Sequence, residues 1–397
     1  LHKKQITAHL RVQRRSNQMP QCETMQFGTM PDDLERLREW IIEHQVTDVV
    51  MESTSVYWMP LYERLEDITK LLVANASHVK KVPGRKTDVA DAEWLAELGA
   101  HGLLRPSFIP PKPIRELRAL SRYRTKMVAT QTSIRNRTIK LLEMAGIKLS
   151  SVVSDCFGVT GRGILDALTQ DAPVDVAQLA RQQLRKKLPE LTQCLGNRLL
   201  MAHQRELLRM HLAMYDAVDA QIAEIECNLV ELAQPYGAAI ARLDAIPGIN
   251  QLAAITLIAE TGIDMTAYRD AAHLSALAGV APGNAISADK RRRIGVRKGN
   301  RSLKRILVQI AWAATRTKDS FIRVRFLRLQ RRIGRNKAIV AVARQILVIA
   351  YFVLSGQPYK DLGTTYYDKH HKERAVKRHV HSLEALGFVV ALKTSSE

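Results

Sequence analysis

The sequence changes character at the proline-rich segment Pro106–Pro113, which reads PSFIPPKP. Proline lacks a backbone N–H and fixes its own φ angle, so helices and central strands do not continue through such a segment. The segment is typical of a stiff linker. Short apolar runs alternate with helical patterns before it, and long helical patterns follow it. The chain is therefore predicted to be α/β plus all-α.

Six short segments define the predicted α/β region. The strand-like runs are Lys4–Val12, Glu23–Gly28, the run that starts at Asp48, and Lys70–Ala74; the helical runs are Leu34–His44 and Tyr57–Leu65. Their order is strand, strand, helix, strand, helix, strand. This order predicts a sheet covered by helices.

Three carboxylates in this region could serve as metal ligands. Glu52 ends the apolar strand, and Asp88 and Asp91 lie three residues apart near the start of a helix predicted over Thr87–Gly99, so the two aspartates share a face. Hard oxygen ligands of this kind suit Mg²⁺ and leave positions open for phosphate oxygens. A helix cap with surface acids is the alternative for the aspartates. A carboxylate at the end of an apolar strand, as at Glu52, favours the metal site.

Long helical patterns fill the middle of the chain. The helix predicted over Ile114–Met144 carries eight Lys or Arg and only two acids, and its Arg118 and Arg122 are candidate contacts to a nucleic-acid backbone. A solvated helix without such a role is the alternative. The segment Val176–Leu232 is nearly continuous in helical pattern, which predicts a helical hairpin or coiled coil. Core packing and dimerisation both stay open there, and we favour self-association.

The charge of the whole chain narrows the class of partner. The formal net charge is +21, with 60 Lys and Arg against 39 Asp and Glu. Such a field favours a polyanion, and nucleic acid is the predicted partner. A membrane is not expected, because Arg344 and Gln345 interrupt the longest apolar run, Ala338–Leu354. Four widely spaced cysteines indicate free thiols in a reducing cytoplasm.

The segment Ala278–Arg305 brings a serine into a dense run of positive charge. Ser287 lies in a loop that contains glycine and proline, and nine Lys or Arg without an acid follow between Lys290 and Arg305. The candidate nucleic-acid contacts here are Lys290, Arg291, Arg292, Arg293, Arg297, Lys298, Arg301 and Arg305. A hydroxyl surrounded by cations suits a nucleophile that attacks a phosphodiester. A solvated basic loop with an incidental serine is the alternative.

Two further segments complete the C-terminal half. The turn Ile246–Ile249, before a helix predicted over Gln251–Thr261, resembles a helix–hairpin–helix motif that could offer backbone N–H groups to a phosphate. The histidine-containing tail is predicted to be basic and partly disordered rather than a metal site. The predicted domains are 1–105, 106–236, 237–360 and a tail, 361–397.

Together these segments resemble the transposases of the insertion sequence 110 family, relatives of the Piv DNA invertase. The resemblance covers nearly the whole chain in order. It rests on Val50–Trp58 and Lys86–Ala92 in the first part, and on Ile246–Ile249, Ala259–Gly262, Leu277–Gly283 and Arg297–Leu303 in the second. Each motif is moderately specific, and their common order carries the resemblance.

The resemblance implies a RuvC-like, RNase H-type N-terminal domain with a metal site of the Asp-Glu-Asp-Asp pattern, and a mainly helical C-terminal transposase domain. It places Ser287 at the nucleophilic serine that forms a phosphoserine intermediate with DNA. It also implies that Glu52, Asp88 and Asp91 hold Mg²⁺. The implied partners are donor and target DNA, a structured guide RNA and further copies of the chain in a dimer or tetramer. In that assembly the acids of one subunit complete a site with the serine of another.

Two positions depart from the family pattern. Ala288 stands where the family usually has glycine. The family opens with Gly-Ile-Asp before its Lys-Lys pair, whereas this sequence starts at Leu1-His2-Lys3-Lys4, so little metal-dependent activity is expected of the chain as printed. Two alternative functions therefore stay open: a RuvC-like junction nuclease that uses water, and a nucleic-acid-binding protein without catalytic activity.

Overall fold

A computed structural model describes residues 1–13, 19–53, 55–74, 87–196, 200–283, 286–287, 290–291, 295–296, 298–367 and 372–392. The chain forms two compact units, Leu1–Ile109 and Pro110–Glu397. The boundary between the two units lies inside the proline-rich segment.

The N-terminal unit contains four strands and three helices among its described residues. They are β1 Ile6–Val12, β2 Gln21–Phe27, α1 Pro31–Glu43, β3 Asp48–Glu52, α2 Met59–Leu65, β4 Lys70–Ala74 and α3 Asp88–Ala100. The predicted order of strands and helices is confirmed, and most boundaries shift by a few residues. Pro31 opens α1, where a missing N–H is tolerated.

The pairing of these strands differs from one predicted sheet. β1 pairs antiparallel with β2, and β3 pairs parallel with β4, in two separate two-stranded sheets. Both pairs contribute to one apolar core, in which Leu37, Met51, Leu65 and Val73 are almost fully buried. The core thus unites strands that the described ladders leave separate.

The C-terminal unit is mainly helical. The α-helices among its described residues are α4 Lys112–Met144, α5 Leu149–Val152, α6 Val159–Leu168, α7 Val176–Leu179, α8 Leu188–Leu195, α9 Ala202–Leu232, α10 Gly237–Asp244, α11 Gln251–Thr261, α12 Ala271–Leu277, α13 Arg301–Ala314, α14 Phe321–Ile333, α15 Arg335–Leu354 and α16 Lys372–Ala385. Two short strands occur among the described residues of this unit, β5 Ile286–Ser287 and β6 Lys290–Arg291. The helical lengths predicted for α4 and α11 agree closely with those observed.

The predicted helical hairpin within Val176–Leu232 is wrong. Short helices occupy the first part of that segment, and Gly196, at φ +57°, ends the last of them. A positive φ terminates a helix at little cost only when the residue is glycine. The long helix α9 packs instead along α4. The pair of long helices is therefore formed by α4 and α9, which are far apart in sequence.

The turn at Gly248 packs closely against the helix α13. A Cβ on Gly248 would lie 2.5 Å from the backbone nitrogen of Ala314, so only glycine fits against α13. The N-terminus of α11 is capped by Asn250, whose side chain accepts a hydrogen bond from the Ala253 N–H at 2.9 Å. The turn therefore has a role in helix packing, and the phosphate contact stays a prediction.

The most apolar helix, α15, belongs to the core of the C-terminal unit. Its length and composition would suffice to cross a membrane. Val342, Ala343 and Ile346 are fully buried, and the helix packs against α12, α13 and α14. Its apolar sequence is used for packing within the protein. The predicted tail also contains the helix α16, so it is more ordered in its described part than expected.

Candidate serine site and basic surfaces

The three predicted metal ligands lie at the ends of two elements of the N-terminal unit. Glu52 is the last residue of β3, is partly buried, and is the register partner of Ala74 on β4. Asp88 is the first residue of α3, and its carboxylate lies 3.2 Å from Nε2 of His2. Asp91 follows one turn later and is exposed. Thr87 caps the helix by accepting a hydrogen bond from the Ala90 N–H.

Helix α3 packs on β3 through its C-terminal end, whereas the two aspartates lie at its N-terminal end. A Cβ on Gly99 would lie 2.7 Å from Cγ2 of Val50, so the C-terminal end of α3 touches β3. Asp88 lies eleven residues earlier, about 16 Å along the helix axis. No three His, Cys, Asp or Glu side chains in the described part of the chain form a metal-binding group. The donor chemistry of the three carboxylates fits Mg²⁺.

Ser287 lies on a short β-hairpin of the C-terminal unit. The two residues of β5 pair antiparallel with those of β6, so Ser287 is the register partner of Lys290 and Ile286 that of Arg291. Nearer the base, Pro282 and Val296 form an antiparallel bridge. The backbone register thus brings the first residue of the basic run directly opposite the serine.

A pair of glycines closes the base of this hairpin. A Cβ on Gly299 would lie 2.4 Å from the nitrogen of Gly279 and 2.5 Å from the oxygen of Leu277. Gly279 itself has a φ of +67°. The N–H of Asn300 donates to the oxygen of Leu277 at 2.8 Å. We call this contact of residues 277–279 with residues 299–300 the neck; it holds the two ends of the serine hairpin together.

Asn300 connects the neck to the interior of the unit through both ends of its side-chain amide. Its oxygen accepts hydrogen bonds from the N–H groups of Ser302 at 3.0 Å and Leu303 at 3.1 Å, which caps α13. Its nitrogen donates to the carboxylate of Glu260 at 2.6 Å. The partners therefore define the amide orientation, with an acceptor toward the helix and a donor toward the acid.

Glu260 is the buried centre of a charged network. Its side chain is only 1% exposed, and Arg122 donates to both carboxylate oxygens at 2.7 and 2.8 Å. Arg118 donates to the backbone oxygens of Ala259 at 2.8 Å and Glu260 at 2.9 Å. Two arginines of α4 thus hold the C-terminal end of α11, while Asn300 ties the same carboxylate to the neck.

The surroundings of Glu260 stabilise its charged form. Burial alone would raise the pKa of this carboxyl, but hydrogen bonds from Arg122 and Asn300 and the charges of Arg122 and Arg118 outweigh burial. The pKa of Glu260 therefore lies below its usual value. Burial lowers the pKa of Arg118, whereas the hydrogen bond to Glu260 raises that of Arg122.

This network changes the interpretation of two predicted nucleic-acid contacts. Arg118 is mostly buried, and the guanidinium of Arg122 donates to both carboxylate oxygens of Glu260. Their charge balances a buried acid, so the geometry gives both residues a structural role. The charge count of α4 alone could not distinguish this role from a surface contact.

The foot of the hairpin carries exposed cations. Lys298, Arg301 and Arg305 are exposed, and none of the three forms a salt bridge with a described carboxylate. Arg301 and Arg305 lie four residues apart on one face of α13. Of the other predicted contacts, Lys290 and Arg291 are described by their backbone alone, and Arg292, Arg293 and Arg297 lie outside the described residues.

Glu260 and Asn300 are functional residues of this network without a predicted role in the sequence. Both lie in motifs that carry the family resemblance, Ala259–Gly262 and Arg297–Leu303. The available signal was a carboxylate in the otherwise apolar helix α11, because a buried charge requires a partner. That signal does not identify the partner of Glu260, because Arg122 lies 138 positions away in the sequence.

Comparison with known proteins returns transposases for both halves of the chain. A model of the transposase DEDD domain of IS110 elements matches residues 7–146, and the model described as Transposase IS116/IS110/IS902 family matches residues 240–324. The transposase for insertion sequence element IS1111A of Coxiella burnetii (strain RSA 493 / Nine Mile phase I) is 25% identical over 318 residues, which is 78% of each chain.

The two domain matches follow the order found in the sequence, and together they span more than half of it. A transposase domain implies a DNA substrate and a DNA-transfer reaction, and the DEDD class suggests dependence on a divalent metal. The model matches and the relative agree with one another. The chain belongs to the IS110 family of transposases.

Proposed function

We propose that this transposase cuts and rejoins DNA through the hydroxyl of Ser287. In this step the Ser287 oxygen bonds to phosphorus, the bond from phosphorus to one deoxyribose oxygen breaks, and the serine proton ends on that released oxygen. A hydroxyl group of a second DNA strand then attacks the phosphoserine and restores the free serine. The exchange joins a new pair of DNA ends without external energy.

The position of Ser287 on the hairpin carries this proposal. Its register partner is Lys290, and exposed Lys298, Arg301 and Arg305 stand at the hairpin foot. Attack on a phosphodiester develops negative charge on the phosphate oxygens, and fixed cations nearby stabilise that charge. The neck and Asn300 support a defined position for the hairpin, which an attacking group requires.

We propose Mg²⁺ as the divalent cation and Glu52, Asp88 and Asp91 as residues that would hold it. The support is the chemistry of three carboxylates and the DEDD class of the matched domain. A bound Mg²⁺ would supply positive charge to polarise a phosphate.

We further propose that the chain works as a homo-oligomer with a structured guide RNA. Support for self-association comes from α9, where Leu207, Met210 and Met214 are exposed along the helix. Large apolar side chains exposed along a helix are typical of an interface. The guide RNA follows from the family resemblance, and the net charge of +21 is compatible with two nucleic-acid partners.

The test scores protein that becomes covalently bound to DNA. The chain, with and without an N-terminal Met-Gly-Ile-Asp extension that supplies the family opening, is mixed with Mg²⁺, donor and target DNA and the transcript of the element ends. Denaturing electrophoresis then detects an adduct, and mass spectrometry of the digested adduct locates the modified residue. Ser287→Ala is compared with Ser302→Ala, which removes a second hydroxyl near the neck.

We expect an adduct on Ser287 that Ser287→Ala abolishes and Ser302→Ala retains. Strand cleavage that persists in Ser287→Ala without an adduct would instead support a junction nuclease that uses water. Tight DNA binding without strand breakage in any mixture would support a nucleic-acid-binding protein without catalytic activity.

A further inference from the structure

The helix α14 and the start of α15 carry a second dense group of cations. Between Arg316 and Lys337 there are nine Lys or Arg and one acid, Asp319. α14 buries Phe321, Ile322 and Phe326 and contains no acid. Its cations Arg328, Arg331 and Arg332 are exposed and follow the spacing i, i+3, i+4, so they lie on one face.

The cations between Arg316 and Lys337 lack salt bridges of the kind that neutralise arginines of α4. On α4, Arg122 pairs with Glu260, Arg124 with Glu226 and Arg135 with Asp155. By contrast, no salt bridge between described residues involves a cation from Arg316 to Lys337. Arg328, Arg331 and Arg332 of α14 therefore present their charge to solvent, whereas Arg122, Arg124 and Arg135 of α4 are neutralised by carboxylates.

Two of the arginines are held in place by aromatic rings. The guanidinium carbon of Arg328 lies 4.5 Å from the ring centroid of Tyr367, and that of Arg335 lies 4.6 Å from the centroid of Trp312. A cation–π contact orients the guanidinium without removing its charge. These contacts hold the arginines in position and leave their charges available for a ligand.

The helix dipole does not explain the whole group. Arg331 and Arg332 lie in the last turn of α14, where the dipole favours cations. Arg335 and Lys337 lie in the first turn of α15, where the dipole disfavours them, and both are exposed. Exposed cations that oppose the dipole and lack acids do not serve the stability of the fold. Their placement indicates an anionic partner.

We propose that the exposed face formed by Arg328, Arg331, Arg332, Arg335 and Lys337, here called the α14 surface, binds the phosphate backbone of duplex DNA. This inference rests on the proposed function, since it assigns part of the DNA contact to a surface remote from Ser287. Arginine forks match phosphate oxygens. The Tyr367 and Trp312 rings already pack against arginines, so the surface favours a duplex backbone over stacked single-stranded bases.

The distance from the serine hairpin suits one continuous duplex. α13 starts next to Asn300 at the neck and reaches Trp312, which contacts Arg335. Twelve residues of helix span about 18 Å. This length corresponds to about five base pairs at about 3.4 Å each. A duplex cut at the hairpin would thus meet the α14 surface about half a turn away.

The experiment measures how binding depends on salt. A fluorescein-labelled 30-base-pair duplex of arbitrary sequence is titrated with the full chain between 50 and 200 mM NaCl, and the slope of log K against log salt is recorded. The double variant Arg331→Gln, Arg332→Gln should lower the magnitude of this slope by about 1.8, or about 0.9 per lost phosphate contact. Both residues are exposed, so circular dichroism should show an unchanged helix content.

The matched control is Arg124→Gln with Arg135→Gln on α4, which removes the same net charge from arginines that are already paired. We expect its salt slope to match the wild type. An unchanged slope in the α14 variant would contradict the proposal, as would an equal loss in the α4 control. The same titration is made with an RNA hairpin as the probe. A lower salt slope for that probe alone would also contradict the proposal, because the surface would then bind RNA.

The outcome is independent of the serine mechanism. If no adduct forms on Ser287 but the slope changes only in the α14 variant, the surface stands and the proposed reaction is wrong. If the adduct forms and the slope of the α14 variant stays unchanged, the reaction stands and the surface is wrong.

Discussion

Glu260 places a full negative charge at the end of an otherwise apolar helix. Desolvation of such a charge is unfavourable unless its partners make close hydrogen bonds. Arg122 supplies these bonds from α4 and Asn300 from the neck, at distances between 2.6 and 2.8 Å. At the scale of single residues, this carboxylate therefore determines how α4, α11 and the neck meet.

Removal of this carboxylate should destabilise the C-terminal unit strongly. Glu260→Ala leaves Arg122 and Asn300 without their partner, and we expect the free energy of unfolding to fall by about 3–5 kcal/mol. Glu260→Gln keeps the shape and should lose less. The pKa of Glu260 is lowered in the fold, so its charged form stabilises the folded state. This stabilisation is complete above the pKa of the unfolded chain, about 4.3, and is lost as the pH falls through the lower pKa of the folded state.

Urea denaturation between pH 7 and pH 3 measures both effects. The difference in unfolding free energy between the wild type and Glu260→Gln should shrink below about pH 4. The control is Glu206→Gln, which breaks an exposed pair with Arg209 and should change stability by less than about 1 kcal/mol. A difference that stays constant with pH would show that the charge of Glu260 does not contribute.

At the scale of elements, the serine hairpin depends on the close backbone approach at its neck. Gly299 touches the backbone of Gly279 and Leu277, and backbone atoms cannot move aside as a flexible side chain can. The hairpin itself has few ladder positions, and a two-stranded hairpin is marginally stable alone. Its position must therefore come from the neck and from the capped start of α13.

Gly299→Ala should displace the hairpin and reduce formation of the Ser287 adduct by at least about tenfold, since a misplacement near 1 Å can reduce a rate a hundredfold. Gly295→Ala is the matched control in the same hairpin, because a Cβ there meets no atom within 4 Å. Adduct yield under the conditions described above, with circular dichroism as a check of folding, distinguishes the two variants. Equal yields from both would rule out the positioning role of the neck.

At the scale of the whole molecule, the acids and the serine belong to different compact units. Glu52, Asp88 and Asp91 lie in the N-terminal unit, and Ser287 lies in the C-terminal unit. A homo-oligomer allows the acids of one subunit to act with the serine of another, as the family resemblance implies. This arrangement makes a specific prediction for mixtures of inactive variants.

A mixture of the Ser287→Ala chain with the Glu52→Gln chain should recover adduct formation. When the two chains are mixed 1:1, about half of the dimers contain one chain of each kind. Each mixed dimer has one intact site of two, so the mixture should reach about a quarter of the wild-type yield. The control mixture pairs Glu52→Gln with Asp88→Asn, which never restores a complete set of acids. Recovery in neither mixture would indicate that each site draws its acids and serine from one chain.

Several elements follow directly from the sequence because their causes are local. Gln251–Thr261 is helical over the predicted range, since Asn250 caps it and Gly262 ends it at φ +74°. The four cysteines are free thiols, as their spacing predicts. The transposase family was also accessible from sequence, because its motifs are short local segments in a fixed order.

The packing of the long helices did not follow from sequence. The helical pattern of Val176–Leu232 predicts amphipathic helix but not its partner, and α9 packs on α4. The four strands of the N-terminal unit were likewise predicted individually, but the sequence did not predict that they pair as β1 with β2 and β3 with β4. Partner choice depends on contacts between distant segments, which periodicity within one segment does not encode.

The sequence by itself determined the basic character of the chain, its main helices and strands, and the family to which it belongs. Only the tertiary structure decided which cations are neutralised and which face a partner. Arg122 and Arg331 look alike in sequence, yet one binds a buried carboxylate 138 positions away and the other faces solvent. The physical reason is that a charge is a local property of the chain, whereas its neutralisation depends on what folding brings within a few ångströms.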